Sequence, residues 1–361
     1  MEKILFYINV LWKGGAERVI LQLATKCQEE GYDVLLVTSF QDNSEYAIPS
    51  TLKRVCLEKD KTTQNRLLKN ITRVYKLRKI IKEQRPNLLI SFMAEPNFRA
   101  VIASLFLNTK VVISVRNDPR KEYAGFFNRV IAKYILPLAD GCVFQTKDAM
   151  DFFPKRLQKK SKIIFNEVSE KFFVTKRTNV GNDIVTIGRV SEQKNQILLI
   201  KAFEELKEKY PQTRLVIYGS GNLEQELLGY INCKNLSGRV LLNGVTDDVP
   251  EVLAHAALFV LCSNYEGMPN VLLEAMAVGV PVISSDCPCG GPKMIIENGI
   301  NGLLFPVNDK DRLREAIEKM LSDKEYAECL GNNARYSSDR FAPRTVFKDW
   351  QCFINVVLKN V

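Results

Sequence analysis

Short apolar, β-branched runs alternate with longer stretches of helical periodicity along almost the whole chain. No other feature constrains the fold as strongly. Runs at 3–10, 34–39, 88–91, 111–115 and 141–144 read as strands, with helical patterns at about 16–30, 63–84, 96–107, 122–137 and 147–152. Strands separated by ten or more helical residues form βαβ units, hence a parallel sheet covered by helices. After a run at 163–165 the pattern lapses into a polar stretch, 166–182, that suits a linker. It then restarts with strands at 184–187, 214–218, 240–242, 257–261 and 281–284 and helices at 194–209, 222–233 and 269–278. The expected fold class is α/β: two doubly wound parallel-sheet domains, 1–165 and 183–342, joined by that linker. The closing segment, 343–361, is helical over most of its length. Ligands in such sheets bind beyond the carboxyl ends of the strands, so a cleft faced by both domains is the expected site. No internal repeat or low-complexity tract is present.

At 361 residues the chain is long for one core and comfortable for two. Hydrophobic residues make up 46% and charged residues 25%, an ordinary globular balance. No apolar run approaches the roughly 20 residues a membrane span needs. Residues 1–7 run straight into a strand pattern without a signal-peptide layout. Nine cysteines, odd in number and without paired spacing, fit a reducing cytoplasm. With one histidine, His255, a zinc site is not expected, and His255 reads as a packing or capping residue.

Charge is placed unevenly. Of the 51 Lys and Arg, 29 fall in residues 1–170, against 18 of the 41 Asp and Glu. Between 53 and 85, 12 basic residues face 3 acidic ones. There Leu67, Leu68, Ile71, Val74, Tyr75 and Ile81 recur at helical spacing beside Arg66, Lys69, Arg73, Lys76, Lys79 and Lys82. Two readings stay open. The helix packs its apolar stripe on its own domain and leaves a solvated basic face, or it draws the domain to anionic headgroups or a lipid diphosphate. The second is worth up to ~1 kcal/mol per basic residue. Nucleic acid is not an expected partner, since no interleaved aromatics or known module accompany the charge.

The stretch 263–274, Ser-Asn-Tyr-Glu-Gly-Met-Pro-Asn-Val-Leu-Leu-Glu, places Glu266 and Glu274 around a helix start. Glu266 lies in the loop after the run at 257–261, followed by Gly267. Pro269 suits the first helical turn, where its missing N–H would be unpaired anyway. The amides of Met268, Asn270 and Val271 would then form a positively polarised anion site. Glu274 projects from the same helix toward that end. A diphosphate over the helix start, with a carboxylate on each side and hydroxyls for both to grip, describes a nucleotide-sugar. Alone, an E-x7-E pair is equally a helix start with two solvated glutamates.

The neighbouring residues carry a resemblance. Glu266 to Glu274, continued by Ala-Met-Ala-Val-Gly-Val-Pro-Val-Ile-Ser at 275–284, resembles the E-x7-E block of the family 4 glycosyltransferases. Gly188-Arg-Val-Ser-Glu-Gln-Lys-Asn195 is similar to that family's G-R-x-x-x-x-K-N donor loop, and Lys13-Gly-Gly-Ala-Glu17 to its N-terminal Gly-Gly loop. The stretches 286–292 and 298–304 complete the pattern in the family's order and spacing. The resemblance implies the GT-B fold: two Rossmann-like domains facing a cleft, the first for the acceptor and the second for the nucleotide-sugar. It also implies that the C-terminal helix crosses back to the first domain.

Arg189, Lys194 and Glu266 are the expected catalytic groups. A departing nucleoside diphosphate gains charge, so cations fixed beside it stabilise the transition state more than the ground state. Arg suits a bidentate phosphate contact and Lys a point-charge one. Glu266 is assigned to donor-sugar hydroxyls and Glu274 to the ribose. Gly14 and Gly15 lie between the first strand and helix, where glycine permits positive φ and close backbone approach. By resemblance they cover the donor phosphates and acceptor, and Gly244 and Val245 border the base pocket. Gly-Gly without a third glycine does not support a dinucleotide. No Asp-x-Asp stands at a strand end, so no metal and no cofactor are expected; fixed cations and the helix start would carry the charge.

One departure matters. Many members have a histidine in a first-domain loop near the reacting sugar; here Ser-Val-Arg-Asn-Asp-Pro at 114–119 occupies that place. Arg116 and Asn117 could donate hydrogen bonds to the donor but not move a proton near neutral pH. The acceptor proton would instead leave to the donor phosphate oxygen. Retention of configuration is implied by the family alone.

The expected activity moves a hexose or N-acetylhexosamine from a nucleotide-sugar, UDP-linked by first choice, to a lipid-linked saccharide or polysaccharide, without metal. The enzyme would sit at the inner face of the cytoplasmic membrane, with the anionic membrane surface as a partner. The stretch 286–292 is similar to hexosamine and galactose transferases of capsule and O-antigen assembly, which favours N-acetylgalactosamine. Two rivals share the architecture: a sugar-nucleotide epimerase, which needs no acceptor, and a non-catalytic nucleotide-sugar-binding protein.

Overall fold

The computed structural model describes residues 2–58, 66–178 and 180–359. Positions 63–65 of the expected second helix, 179 of the expected linker and 360–361 lie outside them. The chain divides into two compact units, Met1–Asn166 with Val346–Val361, and Glu167–Thr345.

In the first unit the strands are β1 (Lys3–Ile8), β2 (Asp33–Thr38), β3 (Lys53–Cys56), β4 (Leu88–Phe92), β5 (Lys110–Ser114), β6 (Gly141–Phe144) and β7 (Ser161–Ile163). The helices are α1 (Gly15–Glu29), α2 (Arg66–Gln84), α3 (Ala94–Ser104), α4 (Pro119–Glu122), α5 (Phe126–Val130), α6 (Lys147–Asp151) and α7 (Lys155–Gln158). The sheet is parallel, ordered β3-β2-β1-β4-β5-β6-β7, so the strand order reverses between β1 and β4. The central strands are buried almost throughout and mostly apolar because helices cover both faces. Strand β3 was not expected, being a partly exposed edge without an apolar run, and β7, the other edge, takes in only Ile163 of the run at 163–165. The single helix expected at 122–137 is broken into α4, α5, a π turn (Ile131–Ile135) and a 3₁₀ turn (Leu136–Leu138). Gly125, at φ 86°, and Pro137 interrupt it.

The second unit has β8 (Asp183–Ile187), β9 (Arg214–Tyr218), β10 (Val240–Leu242), β11 (Leu258–Leu261), β12 (Val282–Ser285) and β13 (Leu303–Phe305), ordered β10-β9-β8-β11-β12-β13 and again parallel. Its helices are α8 (Glu170–Val174), α9 (Gln196–Leu206), α10 (Glu224–Cys233), α11 (Val249–His255), α12 (Asn270–Val278), α13 (Gly291–Ile295), α14 (Lys310–Ser322) and α15 (Lys324–Ser337). Within the stretch expected as a linker, α8 buries Phe172, and the Val168 amide donates to Phe341 O at 2.9 Å. The last helix, α16 (Pro343–Lys359), begins in the second unit and carries Trp350, Phe353 and Ile354 into the first unit's core. Trp350 stacks on Phe92 at 5.9 Å.

Helix α2 buries only part of the row its spacing suggests. Leu77 and Ile81 are buried, whereas Leu68, Ile71 and Tyr75 point to solvent. Much of its charge is used internally. Arg73 grips Glu58 through two hydrogen bonds, of 2.9 and 2.7 Å, and Lys76 donates to Leu57 O. Arg78 caps the end of α3 by donating to Ala103 O and Leu105 O. Lys79 and Lys82 remain exposed.

Candidate active site

Beyond β8 the chain turns through Gly188 and enters α9 from Asn195, a left-handed residue at φ 50°. This loop lies hard against the one after β9. The Val190 amide donates to Ser220 O at 3.0 Å, and a Cβ on Gly219 or Gly221 would fall 2.0 Å from Gly188 O or Val190 O. Only glycine permits that approach. Gln196 donates to Arg189 O at 2.9 Å. The Arg189 side chain is exposed, with no partner among the described residues. Arg189, Tyr218, Ser220, Val245 and Thr246 line a cavity of about 270 Å³ at the carboxyl ends of β8, β9 and β10. Gly244, at φ 66°, accepts from the Gly219 amide and carries Val245 to the cavity.

Lys194 ends the same loop, and its Nζ lies 2.6 Å from Glu266 Oε1. Ser263 Oγ donates to that oxygen at 2.7 Å, and Ser285 Oγ holds Ser263 O at 2.6 Å. Gln193 and Asn264 lace the two loops together: the Asn264 amide donates to Gln193 O, and Gln193 Nε2 to Tyr265 O. A third loop, after β12, closes from the other side. Glu266 N donates to Pro288 O and Cys289 N to Glu266 O. A Cβ on Gly291 would lie 1.7 Å from Gly267 O. Burial, with a smaller push from the Glu266 charge, raises the Cys287 thiol to about 12, so no thiolate works here.

Helix α12 starts one residue later than expected. Pro269 is its N-cap rather than a first-turn residue, because its carbonyl already accepts from the Leu272 and Leu273 amides. Gly267, Met268 and Pro269 are buried; Asn270 and Val271 are half-buried at the helix start. Glu266 and Glu274 are only 7% and 4% exposed. Two glutamates nearly out of solvent are not a hydrated helix start. A buried carboxylate is costly unless paired, and Glu266 has its ammonium and hydroxyl. Arg189, Lys194, Glu266, Glu274 and the α12 start therefore gather at the carboxyl end of one sheet, on either side of the β8/β11 order reversal.

The first-unit candidates fare differently. Gly14 is the N-cap of α1 at φ −114° and Gly15 its first residue, so positive φ is not what they provide. A Cβ on Gly14 would come within 2.4 Å of Glu17 Oε2, the far end of a flexible side chain that can shift aside. Arg116 turns inward, 9% exposed, with its guanidinium 3.9 Å from the Phe92 ring centroid and near Trp350, and donates to Asn166 Oδ1 at 2.9 Å. Burial lowers it to about 9. Its guanidinium braces α16 against the sheet, the aromatic faces offsetting lost hydration. Asn117 is half-buried and accepts from the Asp118 amide.

Sequence reasoning missed a cluster at the β1/β4 reversal. Arg99, 1% exposed, donates to Asn9 Oδ1 at 2.6 Å and Asn70 Oδ1 at 2.8 Å and pairs with the half-exposed Glu95 at 2.5 Å. Met93, just before α3, is held at φ 77°. The only signal was a position directly after a strand, and it carries weight once the sheet order is known.

No group of three His, Cys, Asp or Glu side chains placed to hold a metal occurs among the described residues. Asp248 caps α11 by accepting from the Glu251 amide, and His255 closes that helix with Nδ1 3.0 Å from Glu251 O.

Residues 13–169 match the family model "Glycosyltransferase Family 4" and residues 167–337 the model "Glycosyl transferases group 1". The chain is 28% identical over 356 residues, 97% of each protein, to the GalNAc-alpha-(1->4)-GalNAc-alpha-(1->3)-diNAcBac-PP-undecaprenol alpha-1,4-N-acetyl-D-galactosaminyltransferase of Campylobacter jejuni. It is 29% identical to an uncharacterized glycosyltransferase of Methanocaldococcus jannaschii, over 79% of this chain and 83% of that one. Among solved structures, Anabaena HepE in complex with UDP and glucose superposes with a TM-score of 0.83 at 20% identity, covering 98% of this chain and 100% of that one.

Proposed function

The chain belongs to the family 4 glycosyltransferases, with the two parallel-sheet α/β domains of the GT-B fold, and from that premise we propose that it transfers a hexose or N-acetylhexosamine from a UDP-sugar to a lipid-linked saccharide with retention, without metal, at the cytoplasmic membrane. The observation that carries the proposal is the buried pair Glu266 and Glu274 bracketing the α12 start, with Lys194 and Arg189 from the adjacent loop. The diphosphate lies over the α12 amides, whose partial positive charge favours it. Glu274 accepts from the ribose hydroxyls and Glu266 from those of the sugar. Lys194 has three N–H donors; Glu266 holds one, and the others serve the phosphate together with Arg189. As the bond from the anomeric carbon to the phosphate oxygen breaks, charge grows on that oxygen and these cations stabilise it. The acceptor oxygen bonds to the anomeric carbon and its proton passes to the departing phosphate. Glu95 and Asn9, fixed by Arg99 at the first unit's strand reversal, receive acceptor hydroxyls.

Two things support this reading beyond the geometry. The Campylobacter relative is named for an undecaprenol-linked glycan, and the Anabaena structure holds UDP and glucose. The test supplies a panel of labelled nucleotide-sugars and a diphosphate-lipid-linked saccharide, with and without chelator. Label on the lipid-linked product in both arms is expected. Turnover of donor without acceptor favours the epimerase. Binding without turnover favours a binding protein. Activity lost with chelator and restored by Mg²⁺ or Mn²⁺ overturns the charge assignment.

A further inference from the structure

The first unit exposes large apolar side chains in two rows. Phe126 and Phe127 are 77% and 81% exposed, with Tyr134 behind them on the π turn. On α2, Leu68, Ile71 and Tyr75, spaced i, i+3, i+7, are 57%, 66% and 70% exposed. Single exposed apolar residues are ordinary, but grouped ones mark an interaction surface.

Topology puts both rows on one side. From β3 the chain crosses back to β4 and then steps outward to β5 and β6. Right-handed crossovers place α2, α3 and the α4–α5 segment on the same face of the sheet. Helix α3 packs against α2 on one flank and the 131–138 turns on the other. A helix after a parallel strand starts at that strand's carboxyl end. Leu68, Ile71 and Tyr75 lie in the first half of α2, and Phe126 and Phe127 open the helical segment 126–138 that runs back to β6. Both rows therefore sit toward the edge that carries Glu95 and Asn9.

Exposed cations accompany the first row, Arg129 and Lys133 flanking the phenylalanines and Tyr134, while on α2 the exposed Lys79, 3.9 Å from Glu83, and Lys82 lie beyond the second row. The same half of the chain holds 29 basic against 18 acidic residues. Aromatic rings set among long basic side chains match a bilayer interface, where the rings enter the acyl boundary and the cations meet anionic headgroups. A second copy of this chain would bring the same positive charge against itself.

We propose that Phe126 and Phe127 insert into an anionic bilayer, with Leu68, Ile71 and Tyr75 as a second row, so that the acceptor end of the first unit is held at the membrane by apolar insertion and not by charge alone. This rests on the lipid-linked acceptor of the proposed function and specifies how the enzyme reaches it. The test uses the full chain and phosphatidylglycerol–phosphatidylcholine vesicles. Phe127→Trp should gain emission that brominated acyl chains quench, above the background of Trp12 and Trp350. Phe126→Ser/Phe127→Ser should weaken vesicle binding by roughly tenfold or more, the scale of removing one to two buried rings, while UDP still raises the melting temperature. Emission from the introduced indole that stays unquenched in vesicle-bound protein overturns the proposal, as does unchanged binding of the serine variant. A parent dimer that the serine variant dissociates also overturns it, because another copy then covers the patch. Loss of UDP binding in the parent would instead count against the enzymatic reading.

Discussion

Replacing Lys194 with alanine separates what its ion pair does for the fold from what its charge does for the reaction. The ammonium lies 2.6 Å from Glu266 Oε1, with the two side chains 18% and 9% exposed. Removing it leaves a nearly buried carboxylate oxygen with the Ser263 hydroxyl as its remaining donor among the described residues. A fully buried pair broken this way costs about 3–5 kcal/mol; the partial exposure of Lys194 reduces this to about 1–3 kcal/mol. For a unit of this size the melting temperature should fall by about 2–10 °C. The catalytic loss is distinct: one fixed charge-stabilising donor is worth roughly 10²–10³ in kcat/KM, or ~2.7–4 kcal/mol. Adding Glu266→Gln neutralises the stranded charge, so the double variant should regain stability to within about 1 kcal/mol of the parent while activity stays low. Initial rates of nucleotide release, taken well below each variant's melting temperature, and thermal denaturation read the two effects. Lys194→Ala activity within about twofold of the parent would refute the phosphate assignment. So would a double variant that recovered rate along with stability, because the lysine would then serve only to hold Glu266.

Burial, aided by Asp118, pushes the Glu122 carboxyl up from 4.5 to about 7, and its Oε2 is sealed from solvent without a partner. The folded state thus holds this proton more tightly than the unfolded one. Its stabilising contribution is complete below about pH 4.5 and is lost as pH rises through about 7, at most about 3 kcal/mol. Glu122→Gln should flatten the urea midpoint across that window, and parallel pH profiles for parent and variant would contradict the assignment. Gly291→Ala, whose Cβ meets Gly267 O at 1.7 Å, should cost more than about 2 kcal/mol and disturb the Glu266 loop. Gly229→Ala, mid-α10 with nothing within 4 Å, should instead stabilise by about 0.5–1 kcal/mol. Equal melting temperatures for these two variants would refute the close packing of the loops after β11 and β12.

The sequence by itself determined the central strands and the chemistry of the donor loops. A parallel strand buried on both faces is mostly apolar, so β1, β4, β8 and β11 announce themselves locally. Arg189, Lys194, Glu266 and Glu274 stand out because a loop and one helical turn set their spacing. Tertiary structure decided what depends on partners distant in the chain. Edge strand β3 pairs on one side and carries no apolar run. Helix α2 turns Leu68, Ile71 and Tyr75 of its apolar row to solvent while burying Ile81, because α3 and the β3 end claim its other side through Arg78 and Arg73. Arg116 turns inward because Trp350 returns from the far end of the chain to cover it. Lys194 meets Glu266 across 72 residues because the sheet lays β11 beside β8. Periodicity reports only which face of an element avoids water; which side chains share that shelter is decided by the order in which the strands assemble.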